Sequence, residues 1–132
     1  MKNLIYLLCL MLSFSCSNSD GKPENNVPQE LIGKWKLIEI YSSDGTTSSW
    51  SPYDSGEVYD IWFKENGTVI FIGNSENCMD ASYSVTGNNI YYSNNPCTTE
   101  DPIFIEFLTE SELILDLNSI EPHKSKFIKL NE

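Results

Sequence analysis

Apolar and polar residues alternate in short runs along most of this chain, and turn residues separate the runs. "ASYSV" (81–85) shows it best: Ala81, Tyr83 and Val85 share one face, Ser82 and Ser84 the other. Alternation with a period of two is the mark of a half-buried strand. Further strand-like runs cover 34–41 (KWKLIEIY), 58–64, 68–72, 89–93, 103–108, 113–117 and 125–130. Gly, Asn, Asp, Ser and Pro occupy the spaces between them, as turn chemistry requires. Only the stretch around Gln29–Gly33 suits a short helical turn. No segment keeps an amphipathic helical period over about ten residues.

Consecutive strands with local connections predict an antiparallel meander, and a sheet this long gains by closing, because closure removes exposed edges. The expected fold is therefore all-β: a small, eight-stranded antiparallel up-and-down barrel. In such a barrel alternate connections fall at opposite ends. The links after 58–64, 81–85 and 103–108 are tight, whereas 42–57, 73–80, 94–102 and 118–124 are long. All long links fall at one end, which predicts a cup with a closed base and an elaborated mouth. Phe63, Phe71, Tyr83, Tyr92 and Phe107 are the candidate inward-facing residues. They either fill the tube or line a cavity; small barrels do both. Trp50 and Tyr53 stand among Ser, Thr and Asp in the first long link. They are candidates for a lid over the mouth or a gripping surface, and the alternative is that each ring tucks against nearby strands.

The front of the chain follows a different pattern. Lys2 precedes an apolar run, Leu4–Phe14, and Ser15 and Cys16 close it. A run of about eleven residues is too short for a membrane span, which needs roughly twenty, and it reads as a cleaved export signal over residues 1–15. "LSFSC" resembles the lipobox of bacterial lipoproteins, with Ser13 where that motif usually has Leu. The resemblance implies that Cys16 becomes an acylated N-terminus carrying palmitate-class chains. Residues 16–28, rich in Ser, Asn and Pro, would then be a flexible tether. One acyl chain anchors only marginally, but several hold a protein at the bilayer. The expected location is the cell envelope, as an outer-membrane lipoprotein facing the periplasm or the outside.

Charge narrows the list of partners. Nineteen carboxylates face eight basic residues, a net charge of −11, and no Arg is present. Nucleic acid is an implausible partner for so acidic a surface. Of four cysteines, Cys9 leaves with the leader and Cys16 takes lipid. Cys78 and Cys97 remain, an even pair in an exported protein, and a disulfide is expected. Both lie in links assigned to the mouth. A zinc site through His123 lacks the usual ligand spacing, and no calcium-loop spacing occurs. No phosphate loop, nucleophile elbow or HExxH motif appears. His123 is the only histidine, without an obvious orienting partner. No catalytic residue, metal or cofactor is assigned. "NGT" at 66–68 fits a glycosylation sequon but is read as a turn.

"LIGKWKLIEI" opens the first strand with Gly33-Lys34-Trp35. This looks like the Gly-x-Trp signature of lipocalins, in which the Trp closes the barrel base. Together with "IWFKENGTVIFI", "YSVTGNNIYYS" and "LTESELILDL", it resembles the lipocalin-like domain of bacterial lipoproteins over about residues 30–130. In many lipocalins an Arg on the last strand covers that Trp; here Lys126 or Lys129 is the available cation. The resemblance implies one domain, 29–132, that binds a small hydrophobic molecule in or at the mouth of the barrel. A packed barrel serving as a protein-interaction module, an inhibitor or an accessory subunit of an envelope complex, is the alternative.

Overall fold

The structure, a computed structural model, describes residues 26–74, 78–98, 100–117 and 119–131. The leader and Cys16 lie outside the described residues. Gln29–Leu31 forms a single 3-10 turn, where the short helical turn was expected. The strands are β1 (Gly33–Ser43), β2 (Ser48–Pro52), β3 (Ile61–Phe63), β4 (Thr68–Phe71), β5 (Asp80–Thr86), β6 (Asn89–Ser93), β7 (Ile103–Leu108), β8 (Glu112–Asp116) and β9 (Lys124–Lys129). All neighbours pair antiparallel, and β1 also pairs with β9. That last pairing closes the sheet into an up-and-down barrel, the expected fold.

The ring has eight strands, and the ninth is an addition. β1 is long enough to take two partners in succession on one side. Its first half pairs with β3, Gly33 opposite Phe63 and Trp35 opposite Ile61. Its second half pairs with β2, from Glu39 opposite Pro52 to Ser43 opposite Ser48. At the fork, the Asp60 carboxylate accepts the Leu37 N–H at 2.7 Å, and the Tyr53 N–H donates to Ile38 O at 2.8 Å. β2 therefore doubles back beside the upper half of β1 as a flap. The first long link contains this strand, which the apolar pattern did not predict: "SSWSP" is exposed throughout and has no apolar face.

The base is sealed by the Gly-x-Trp segment. Trp35 and Leu31 are fully buried, and Trp35 Nε1 donates to Leu31 O at 2.8 Å. Lys129 covers the plug from outside: its Nζ lies 5.2 Å from the Trp35 ring centroid and donates to Glu30 O at 2.8 Å. Gly33, at φ 138°, makes room for it. A Cβ there would stand 2.6 Å from Lys129 Cε. Of the two lysines offered as cover for Trp35, Lys129 takes the place; Lys126 pairs with Glu39 at 3.1 Å on the outer wall.

Above the plug, Phe63, Val69, Ala81, Tyr83, Val85, Ile90, Ile105, Leu113, Leu115 and Phe127 form one buried cluster. Each large apolar side chain so buried contributes roughly 1.5–3 kcal/mol. Alternation in β5 delivers Ala81, Tyr83 and Val85 to it, as their spacing predicts. Phe107 does not join them. A bulge in β7 sets Ile105 opposite Leu115 but Phe107 opposite Ile114. One extra residue reverses the in–out parity that follows it. Phe107 thus turns outward, 46% exposed, and Leu108 takes the inward place opposite Leu113. The expectation that Phe107 faces the interior is corrected by this bulge.

Candidate functional site

The strand order puts the described residues of the links that follow β4, β6 and β8, together with the β2 flap, at one end, opposite the Trp35 plug. The Cys78–Cys97 disulfide ties two of these links together, with Cα atoms 5.6 Å apart. The two half-cystines flank the β5–β6 hairpin and hold its open end shut. Among the described residues, this end carries a cavity of about 220 Å³. Phe71, Tyr92, Ile103 and Leu117 supply its apolar wall, and the disulfide closes one side. Phe71 ends β4 and Tyr92 lies near the end of β6, so both strands deliver an aromatic at the height where the packed core stops. Their rings meet edge to face, centroids 5.3 Å apart.

Tyr83 and Tyr92 stand opposite each other in the β5–β6 register and both face inward, but they end differently. The Tyr83 hydroxyl donates to Lys64 O at 2.8 Å, and its ring packs on Phe63 at 5.1 Å. The Tyr92 hydroxyl is sealed from solvent, although the residue as a whole is only half-buried. Among the described residues no protein group is within hydrogen-bond reach of it. A buried hydroxyl left unpaired costs about 1–3 kcal/mol. Burial pushes the Tyr83 phenol up to about 12. Burial, with Tyr83 adding to it, raises the Tyr92 phenol further. Both are neutral near pH 7, and the Tyr83 proton is already given to Lys64 O.

The other polar side chains of the lining each make at least one contact within the loops. Asn95 Nδ2 donates to Asp80 O at 2.7 Å, and its Oδ1 accepts the Cys97 N–H at 2.7 Å. Thr98 Oγ1 donates to Asn95 O at 3.1 Å. Asn74 Nδ2 makes a longer contact of 3.5 Å to Cys78 O. Among the described residues, no charged side chain lines the cavity.

Two acids of the first long link, Asp44 and Asp54, serve its own turns. The Thr47 N–H, then the Thr46 hydroxyl, hold the Asp44 carboxyl well below the usual carboxylate range, which locks the β1–β2 turn. The Gly56 N–H and the Lys36 ammonium lower Asp54. Lys36 reaches Asp54 at 3.1 Å and Glu57 O at 2.6 Å, pinning the far end of the same link. Glu76 lies outside the described residues.

The other residues singled out from the sequence are distributed as follows. Phe63 and Tyr83 lie in the packed lower half, and Gly33 and Trp35 form the base. Trp50 is opposite Tyr41, with ring centroids 5.3 Å apart. The Lys126 ammonium is 6.0 Å from its ring. Since Lys126 precedes inward-facing Phe127, Trp50 belongs to the outer wall. Tyr53 sits at the fork, 45% exposed. Neither is among the residues lining the cavity, so the lid reading is corrected: pairing with β1 sets Trp50 on the outer face of the wall. His123 borders an outer rim groove with Ser42, Ser43 and Glu121. Ile103 and Leu117 were not among the predicted lining residues, although the parity set by Ile105, Leu113 and Leu115 points to both.

No protein-family model matches the chain, and no curated protein matches it. Among solved structures, the chain is similar to a lipocalin-like protein from Bacteroides uniformis, with 23% identity and a TM-score of 0.48, covering 76% of this chain and 99% of that one.

Proposed function

We propose that this protein is a membrane-tethered binder of a small, mostly apolar molecule held at the mouth of the barrel. The observation that carries the reading is the cavity of about 220 Å³ walled by Phe71, Tyr92, Ile103 and Leu117. An apolar cleft with few polar groups is the usual form of a small-molecule site. The base plug and the filled lower half leave the mouth as its entrance. The cavity is below the roughly 300–1,000 Å³ of drug-sized pockets. It suits a compact ligand or one end of a longer one. The lipobox-like "LSFSC" supports tethering at Cys16, and the segment after it supplies the reach.

Native mass spectrometry of the full chain extracted from its membrane tests this reading. A co-purifying small molecule that leaves on collisional activation is expected; a bare protein mass under all extraction conditions contradicts it.

A second reading, a protein-interaction module, is favoured by a separate observation. Val58, Met79 and Ile120, from three different mouth links, are exposed, Val58 at 82% and Ile120 at 106%. Exposed apolar groups gathered at one end suit a contact surface. Capture of an envelope partner that is lost in Val58→Ser/Ile120→Ser, with dye binding intact, supports this reading over the first.

A further inference from the structure

We infer that the mouth of the barrel docks a cationic polypeptide segment, which seats one bulky apolar side chain in the cavity and lays flanking Lys or Arg side chains over the acidic rim. This rests on the second reading, the interaction module, and names the chemistry of its partner.

The apolar surface at the mouth extends beyond the cavity. Leu117 lines the cavity and also the outer rim groove that holds Ile120 and Pro122, so the two hollows adjoin. Met79, Leu117 and Ile120 are all exposed there, Ile120 fully. A molecule small enough to sit within about 220 Å³ leaves Ile120 and Met79 in water. A polypeptide lying across the mouth covers them and fills the cavity with a side chain. A bulky anchor in a pocket, ringed by lesser contacts that exclude water, is how protein interfaces concentrate their binding energy.

Charge selects the kind of polypeptide. Asp80 follows Met79, Glu121 follows Ile120, and Glu100 and Asp101 stand on the link between β6 and β7; all four are exposed. The described lysines lie elsewhere. Lys64 and Lys129 line a groove at the base, and Lys34 is opposite Trp62 in the lower half of β1. Lys36, Lys124 and Lys126 reach Asp54, Glu106 and Glu39. The mouth thus presents carboxylates beside exposed apolar groups, and a basic segment with one apolar residue complements both. Rim charges of this kind act mainly on approach and on choice of partner. The same acids repel an anionic lipid surface.

Three capped peptides test this by calorimetry against the wild-type chain: Lys-Gly-Lys-Phe-Lys-Gly-Lys, the same with Ala for Phe, and the same with Glu for every Lys. The Phe–Lys peptide is expected to bind about tenfold more tightly than the Ala peptide, the size of one buried side chain, and the Glu peptide most weakly. Its affinity should fall as salt is raised, and it should displace the uncharged dye N-phenylnaphthylamine. In Ile103→Trp, which narrows the cavity, the advantage of Phe over Ala disappears. In Asp80→Asn/Glu121→Gln the Phe–Lys peptide binds more weakly and loses salt dependence, while the dye binds as in the wild type. Equal binding of the Phe and Ala peptides, or peptide binding that leaves the dye in place, overturns the anchor. Equal binding of the Lys and Glu peptides overturns the cationic partner. Both results leave the second reading standing, since that reading is decided by the Val58→Ser/Ile120→Ser capture. Saturable dye binding with no peptide bound overturns this inference and leaves the small-molecule reading in place.

Discussion

The Lys129 ammonium stands 5.2 Å from the centroid of the Trp35 ring and closes the barrel at the end opposite its mouth. Two neighbours make the contact possible. Gly33 leaves the space that the Lys129 stem occupies, and Glu30 O accepts from the ammonium. Gly, Trp and Lys thus form one device, in which each fixes the position of the next. Gly33→Ala forces a side chain into a positive-φ position and against Lys129 Cε. It is expected to cost about 1–3 kcal/mol, read by urea unfolding. Lys129→Met keeps the stem and loses the charge. It is expected to cost about 1–2 kcal/mol and to alter Trp fluorescence.

The Cys78–Cys97 bridge spans 19 residues and forms one wall of the cavity. In the chain-entropy account a loop of this size contributes roughly 3 kcal/mol. Cys78→Ser/Cys97→Ser is expected to lower stability by about that amount and to weaken binding of an uncharged hydrophobic dye. Unchanged dye affinity would mean that the bridge supports the fold and not the site.

Alkaline pH tests the buried tyrosines. Their phenol values are raised in the folded state, up to about 12 for Tyr83, so folded protein holds its protons where unfolded chain releases them. Stability is complete below the ordinary phenol value near 10 and is lost as pH rises towards 12. Urea midpoints measured across this range should fall, and absorbance should show two tyrosines ionising late.

Acidic pH tests the flap. The Asp44 carboxyl is held below its ordinary value of 3.8 by the Thr47 and Thr46 groups of the β1–β2 turn. A lowered value means that the turn's contribution is complete above the ordinary value and drains as pH falls through the folded one. An NMR titration should find Asp44 titrating below the other exposed carboxylates, with the Thr46 and Thr47 amide shifts following it.

Cys16 tests the tether. If it carries lipid, the wild-type chain should incorporate labelled palmitate and sediment with membranes. Cys16→Ala should do neither. Membrane association that survives Cys16→Ala contradicts a lipid anchor.

The barrel was legible because its inward residues obey a simple parity. Ala81, Tyr83 and Val85 illustrate it, and link lengths then oriented base and mouth. Where the structure departs from that reading, a local event breaks the parity. Glu106 sits in a bulge and turns Phe107 out. β2 carries no apolar alternation, because a strand paired on the barrel's flank has no core to face. Its signal was the turn: Asp44-Gly45 with Thr46 and Thr47 is hairpin chemistry. The site was half legible. Phe71 and Tyr92 follow from alternation, but the commitments of Asn74, Asn95 and Thr98 depend on loop folding that no periodic pattern encodes. That the Tyr92 hydroxyl lacks a partner among the described residues is a property of its surroundings, and no residue pattern announces it.

The central claim, a usable cleft at the barrel mouth, is tested most directly by titrating N-phenylnaphthylamine, an uncharged hydrophobic dye, into the wild-type chain and into Ile103→Trp. The substitution places a larger ring in the cavity wall at the end of β7. Saturable one-to-one fluorescence enhancement in the wild type is expected, and its loss in Ile103→Trp with an unchanged far-ultraviolet spectrum. Equal dye binding by the two proteins, or none by the wild type, contradicts the claim.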